Sequence, residues 1–271
     1  MELRFVKGHG TENDFLVLPD IAAAELTPEL VRALCDRHAG IGADGVLRVA
    51  REGARWFMDY RNADGTVAEM CGNGVRVFAR YLVDAGLAEP GVLELATRGG
   101  VKRVSVPASG DITVAMGQPE LLDAAPVVAG VKAIAVGMGN PHVVVSLSTM
   151  DELAALDLTR PPEVDPPLPA GQNVEFVVRR GGRSLALRVH ERGVGETRSC
   201  GTGVCAAVVA TACADPGRAE WGAEWTVDVP GGRLSVMWTD DGVALSGPAV
   251  LVAAGRWRPG LVAREPAPTR R

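Results

Sequence analysis

Cys71-Gly72-Asn73-Gly74-Val75 and Cys200-Gly201-Thr202-Gly203-Val204 are two copies of one phrase, a thiol followed by Gly-X-Gly. An apolar run follows each. After the first, Val75, Phe78, Ala79 and Leu82 recur at helical spacing, which predicts an amphipathic helix that Gly86 stops. After the second, Val204 to Cys213 is apolar all round, which predicts a helix buried on every side. The first N–H groups of a helix are unpaired and carry the positive end of its dipole. A thiol placed there is expected to have its pKa drawn from ~8.5 towards neutrality. The same N–H groups suit a carboxylate, and the glycines let a ligand approach the backbone.

The phrase repeats at a measurable interval. Cys71 and Cys200 stand 129 residues apart (200 − 71), as do Asp44 and Asn173 (173 − 44). Asn13 and Asn140 stand 127 apart (140 − 13). Each half reads strand, Asn loop, strand, short helix, glycine loop, paired strands, Cys-Gly-X-Gly, helix, meander. The repeat predicts a duplicated α/β fold whose equivalent loops meet between the halves, where ligand sites form readily. Two thiols facing each other across one carbon can then invert it. One thiolate removes the α-proton while the other, still a thiol, delivers a proton to the opposite face. Fixed N–H dipoles stabilise the charge that develops on the carboxylate. For one copy alone, a buried cysteine before a glycine turn is the simpler reading. Two copies in equivalent places weigh against it.

The rest of the chain supplies the frame. Lys7 to Phe15 reads as a polar loop between strands, with Asn13 and Asp14 either turn formers or site residues; composition favours the turn. Thr27-Pro28-Glu29 starts a helix, and Leu30, Val31, Leu34 and Cys35 share its core face. Gly40 to Gly45 is a loop without a dinucleotide fingerprint. Val46–Ala50 and Arg55–Tyr60 pair, and residues 91 to 116 form a meander. Ile134–Val136, Val143–Leu147, Val174–Val178 and Leu185–His190 are strands, and Ser148 or Thr149 caps a short helix. Three or four strands finish the fold, the last near Val250 to Trp257, and the residues after Gly260 read as a loose tail.

Composition excludes several classes. The chain has 271 residues, 47% of them hydrophobic, with a net charge of −5. Nucleic acid or an anionic membrane is not expected as a partner. No apolar run approaches the ~20 residues of a membrane span. The start lacks the pattern of a signal peptide, so a cytoplasmic enzyme is the expectation. The five cysteines form no Cys-X-X-Cys or Cys/His cluster, so free thiols and no metal are expected. No Walker loop or pyridoxal-phosphate lysine stands out, so no cofactor is expected.

These stretches together resemble the diaminopimelate epimerases, and the actinobacterial members most. The resemblance is carried by residues 7–15, Arg61-Asn62-Ala63-Asp64-Gly65, Met70 to Arg76, Gly137 to His142, Gly171-Gln172-Asn173-Val174 and Glu191 to Gly203. It implies cofactor-independent interconversion of LL- and meso-2,6-diaminopimelate, in lysine and cell-wall biosynthesis. It implies Cys71 as proton donor and Cys200 as acceptor, exchanging roles with direction. Gly72, Asn73, Gly201 and Thr202 would offer N–H groups to the reacting carboxylate. Asn13, Asn62, Asn140, Asn173, Glu191 and Arg192 would hold the amino groups and the distal carboxylate. His142 and Glu191 would tune the thiols. The implied fold is two pseudo-symmetric domains, each a mixed barrel-like sheet around a central helix. Residues 1–116, completed by the last strand at about 250–271, would form one, and 117–249 the other. A homodimer is implied as well.

Two positions depart from the family pattern. Gly45 stands where many relatives carry Gln, and Glu12 where Gly is frequent. The nearest competing reading is a proline or hydroxyproline racemase of the same fold, which has no use for the distal polar clamp of Asn62, Asn173 and Arg192. A catalytically silent binding protein on that fold is the other, and retention of both thiols speaks against it.

Overall fold

The computed structural model describes residues 2–214 and 222–258. The first half runs β1 (Leu3–Gly10), β2 (Asn13–Leu18), α1 (Pro28–Cys35), β3 (Gly45–Glu52), β4 (Arg55–Asn62), α2 (Gly72–Asp84), β5 (Gly91–Thr97), β6 (Gly100–Val106) and β7 (Ile112–Gly117). The second runs β8 (Glu120–Leu121), β9 (Val127–Val128), β10 (Val131–Gly137), β11 (Pro141–Leu147), α3 (Met150–Ala155), β12 (Val164–Asp165), β13 (Asn173–Arg179), β14 (Ser184–Glu191), β15 (Gly195–Thr197) and α4 (Gly201–Ala214). Then come β16 (Glu224–Val229), β17 (Gly232–Thr239), β18 (Gly242–Gly247) and β19 (Val250–Trp257).

The hydrogen bonding repeats as the sequence does. β2 runs parallel to β3, which pairs antiparallel with β4, which runs parallel to β5. In the second half β11 runs parallel to β13, which pairs antiparallel with β14, which runs parallel to β16. Antiparallel meanders, β5-β6-β7 and β16-β17-β18, close the two series. The halves join through equivalent strands: β7 pairs antiparallel with β18, with Val114 opposite Leu245. A two-fold relation requires such an isologous contact. The chain then crosses both ways, β8 pairing with β10 and β19 with β1.

Local chemistry explains the helices. Thr27 caps α1, accepting from the Leu30 N–H, with Pro28 in the first turn. Thr149 and Glu152 form a capping box on α3. α2 packs against strands of the first half and β19, α4 against strands of the second half, and ten residues of each helix are buried. One apolar cluster spans both, with Phe78, Val75 and Leu82 from α2 and Val204, Val208 and Val209 from α4. Burying each such side chain contributes roughly 1.5–3 kcal/mol. Val31, Leu34 and Cys35 of α1 sit in a separate cluster, as the periodicity of that helix predicts.

The stretch from Lys7 to Phe15 differs from the expected loop. β1 continues to Gly10 and β2 starts at Asn13, so only Thr11 and Glu12 turn the chain. Both have left-handed φ, +48° and +61°. A two-residue hairpin turn of this hand normally uses Asn-Gly, so Thr-Glu gives no local signal for it. The tail expected after Gly260 lies outside the described residues.

Candidate active site

Cys71 is the N-cap of α2 with extended backbone, and its carbonyl accepts from the Val75 N–H at 2.8 Å. Cys200 stands equivalently before α4, its carbonyl accepting from Val204 at 2.9 Å. The two helix starts touch. A Cβ on Gly201 would lie 3.6 Å from the Gly72 Cα and from Asn73 Oδ1, and 3.1 Å from Leu245 Cδ2. Leu245 belongs to β18, the strand that joins the halves, and it packs beneath Gly72 as well. The two glycines therefore permit a backbone approach that side chains would block.

The thiols have unlike partners. The Cys71 sulfur donates to Asn13 Oδ1 at 3.6 Å. Asn13 Nδ2 donates to Asp44 Oδ2 at 2.8 Å, and Asn73 Nδ2 donates to Asn13 Oδ1 at 3.1 Å. Cys200 lies 3.5 Å from Thr202 Oγ1 and in the field of the Glu191 carboxyl, which receives the Thr197 hydroxyl. An amide oxygen does not take a proton from a thiol, whereas a carboxylate can.

The other expected site residues sit at strand ends, and Asn62 and Arg192 make their hydrogen bonds to nearby loops and strand ends rather than to the two helix starts. Asn62 ends β4, its amide donating to Thr66 Oγ1 at 3.0 Å. Asn173 opens β13 and accepts the Arg192 N–H at 2.9 Å, which shapes the turn after β14. The exposed Arg192 side chain donates to the Ala170 carbonyl. His142 is fully buried: Nδ1 lies 2.7 Å from Glu175 Oε1 and Nε2 lies 3.0 Å from Asn140 Oδ1. With both nitrogens engaged, the ring makes no hydrogen bond to either thiol.

Electrostatics here run against one sequence expectation. Burial pushes the Cys71 thiol up to about 11, although the Gly74 and Asn73 N–H groups pull it down. Burial raises Cys200 further, and the Glu191 and Glu175 carboxylates add to it. The helix ends therefore do not bring either thiol towards neutrality, because desolvation of a thiolate outweighs them. Glu191 is itself raised by burial, against the lowering by Thr197 and Cys200, with Glu175 raising it further and His142 lowering it. Among the described residues no group of three or more His, Cys, Asp or Glu could hold a metal.

Sequence reasoning missed Glu175, Arg76, Thr11 and Ser199. All four are buried and polar. Glu175 packs its carboxyl against Gly203 in the first turn of α4. Only its place two residues after Asn173, inside an apolar strand, could have marked it. Glu12, at the family's Gly position, reaches across to Arg198 as an ion pair. Its left-handed φ accounts for Gly being suited there.

A family model described as diaminopimelate epimerase matches residues 5–122 and 134–252. A diaminopimelate epimerase of Streptomyces coelicolor is 52% identical, covering 96% of this chain and 99% of its own. One from Mycolicibacterium smegmatis is 46% identical, covering 94% and 97%. Among solved structures, a probable proline racemase from Agrobacterium radiobacter superposes with a TM-score of 0.70 at 18% identity, over 96% of this chain and 94% of that one. A PhzF-family phenazine biosynthesis protein from Bacillus anthracis gives 0.72 at 16%, over 95% and 99%. At such identities the likeness concerns the fold.

Proposed function

The chain belongs to the diaminopimelate epimerase family, and from that premise we propose how its residues interconvert LL- and meso-2,6-diaminopimelate, an isomerase reaction of lysine and peptidoglycan precursor biosynthesis. The observation that carries the reading is the contact of the two helix starts, each headed by a thiol. The α-carboxylate is received between them by the N–H groups of Gly72, Asn73, Gly201 and Thr202. The α-carbon then lies between Cys71 and Cys200.

The unlike partners of the thiols set the starting protonation. Cys200 gives its proton to the Glu191 carboxylate, a transfer that runs uphill from the raised Cys200 thiol and so forms the thiolate as a minor, reactive species. Cys71, held on an amide oxygen, stays a thiol. The Cys200 thiolate takes the α-proton, the C–H electron pair remains on carbon and spreads into the carboxylate, and the Cys71 S–H protonates the opposite face. The reverse direction exchanges the roles. His142 acts at one remove, through the Glu175 carboxyl at its Nδ1 and the Asn140 amide at its Nε2. Asn13, Asn62, Asn140, Asn173, Glu191 and Arg192 hold the amino groups and the distal carboxylate. A guanidinium suits that carboxylate, and the clamp favours diaminopimelate over a ring amino acid with one carboxylate.

The division into residues 1–116 with about 250–271, and 117–249, is part of this reading. So are a homodimer and a cytoplasmic location, the former testable by sedimentation. Residues of the described structure include no helix long and apolar enough to cross a membrane. The deciding experiment follows α-proton exchange and inversion of LL-diaminopimelate and L-proline side by side without added cofactor. Turnover of proline, or of neither, would overturn the reading.

A further inference from the structure

Arg76 lies in the second turn of α2 and is completely buried. Nη2 donates to Asn73 Oδ1 at 2.9 Å and to Thr11 Oγ1 at 3.4 Å, and Nε donates to the Pro248 carbonyl at 3.3 Å. Nη1 has no hydrogen-bond partner, and no carboxylate pairs with the guanidinium among the described residues. The fold makes room for it with glycine: a Cβ on Gly10 would lie 2.9 Å from Nη2, and one on Gly247 3.5 Å from Cζ. Burying a cation without an acid is costly, and an apolar residue of that volume would serve packing better. A role in packing alone does not account for it.

Hydrogen-bond inventory shows what the cation fixes. A guanidinium only donates, so the Asn73 amide must turn its oxygen towards Arg76. The Asn73 nitrogen is then directed to Asn13 Oδ1 and, also at 3.1 Å, to the carbonyl of Ser199, the residue before Cys200. Asn13 is held in turn with its nitrogen on Asp44, so its oxygen can only face Asn73 and the Cys71 sulfur. Thr11 Oγ1, the other acceptor of Arg76, lies 2.6 Å from Ser199 Oγ. One cation thus orients a chain of amides that ends at Cys71 on one side and at the segment carrying Cys200 on the other.

We infer that Arg76 is a positioning residue for the proton transfer: through Asn73 it aims the Asn13 carbonyl at the Cys71 thiol and ties the Cys200 loop to the start of α2. This rests on the reading of Cys71 and Cys200 as the reacting pair. The guanidinium also places a positive charge in the field of Cys71, on the side that favours its thiolate once the proton has left.

Three variants test it. Asn73→Asp supplies Arg76 with a carboxylate, preserving the buried contact, but removes both amide donations. Arg76→Met removes the cation, and Arg76→Lys keeps the charge without the fork. Asn73→Asp and Arg76→Met are each expected to lower kcat about 100-fold. Both are expected to slow alkylation of Cys71 at fixed pH about threefold or more, because the thiolate loses its nearby net positive charge. Arg76→Lys is expected to restore the alkylation rate and only part of kcat. A merely structural residue would leave alkylation of the folded protein unchanged. Wild-type kcat and alkylation rate in Asn73→Asp would overturn the inference, even if Arg76→Met does not fold. An inactive wild type would instead overturn the reading of the reaction.

Discussion

The Tyr60 ring closes the space beside Gly45: a Cβ on that glycine would lie 2.7 Å from Tyr60 Cε2 and 2.6 Å from the Arg61 carbonyl oxygen. Phe15 meets the same ring edge-on at 5.8 Å and packs near Gly74, one turn from Cys71. The position where the family resemblance implies a long amide in many members is therefore filled from the neighbouring strand by an aromatic ring. Gly45→Ala is expected to destabilise the protein by ~1–3 kcal/mol through this overlap. Urea denaturation measures it. The loss should shrink in a Tyr60→Leu background, where the ring is gone, and an equal loss in both backgrounds would exclude Tyr60 as the obstacle.

Cys71→Ala and Cys200→Ala are each expected to abolish inversion, because each face of the carbon needs its own acid or base. The folds should persist, since each change removes one sulfur beside a backbone-held helix start. Circular dichroism and turnover of LL-diaminopimelate check both. Near-normal turnover in either variant would end the two-base account.

Glu191→Gln links activity to stability. Burial raises the Glu191 pKa above its ordinary 4.5. The folded protein thus holds that proton more tightly than the unfolded chain, and stability is lost as pH rises through 4.5 towards the raised value. Glutamine cannot ionise, so the variant escapes this loss. Its Tm relative to wild type is expected to rise as pH increases from about 4.5 through the raised folded value. The same variant should lose most activity, having nowhere to put the Cys200 proton. A Tm difference that stays flat across that range would show that Glu191 is not desolvated.

Arg192→Ala is expected to raise the KM for diaminopimelate about 10- to 100-fold. Its side chain is exposed and its neighbours are backbone, so Tm should change little. Unchanged KM would remove Arg192 from the distal clamp.

Glu12→Gly sets two small effects against each other. Glycine relieves the left-handed φ of +61° by ~1 kcal/mol, while an exposed ion pair with Arg198 contributes at most about as much. The net change in stability is expected to be near zero, whereas Glu12→Ala should destabilise, losing the pair and keeping the strain. Chemical denaturation of the two variants separates the terms.

Much of this protein was legible in its chain. The repeat of Cys-Gly-X-Gly at equal spacing with Asp44 and Asn173 gave the duplication; periodicity gave the first central helix and an unbroken apolar run the second. Those signals are local: a glycine, a cap or an apolar period acts within a turn or two of itself. The tertiary structure alone decided that Arg76 and Glu175 are buried. Asn73 is the one near partner of Arg76; Thr11 and Pro248, and the His142 that meets Glu175, come from far along the chain. It alone decided that Thr11 and Glu12 form a two-residue turn, which their residue types disfavour. It also reversed the expectation for the thiols. A helix end lowers a thiol pKa where water still reaches the sulfur, and the sequence shows the helix end. How deeply the second half buries that end is a property of the assembled sheet, and desolvation by that packing is the larger effect.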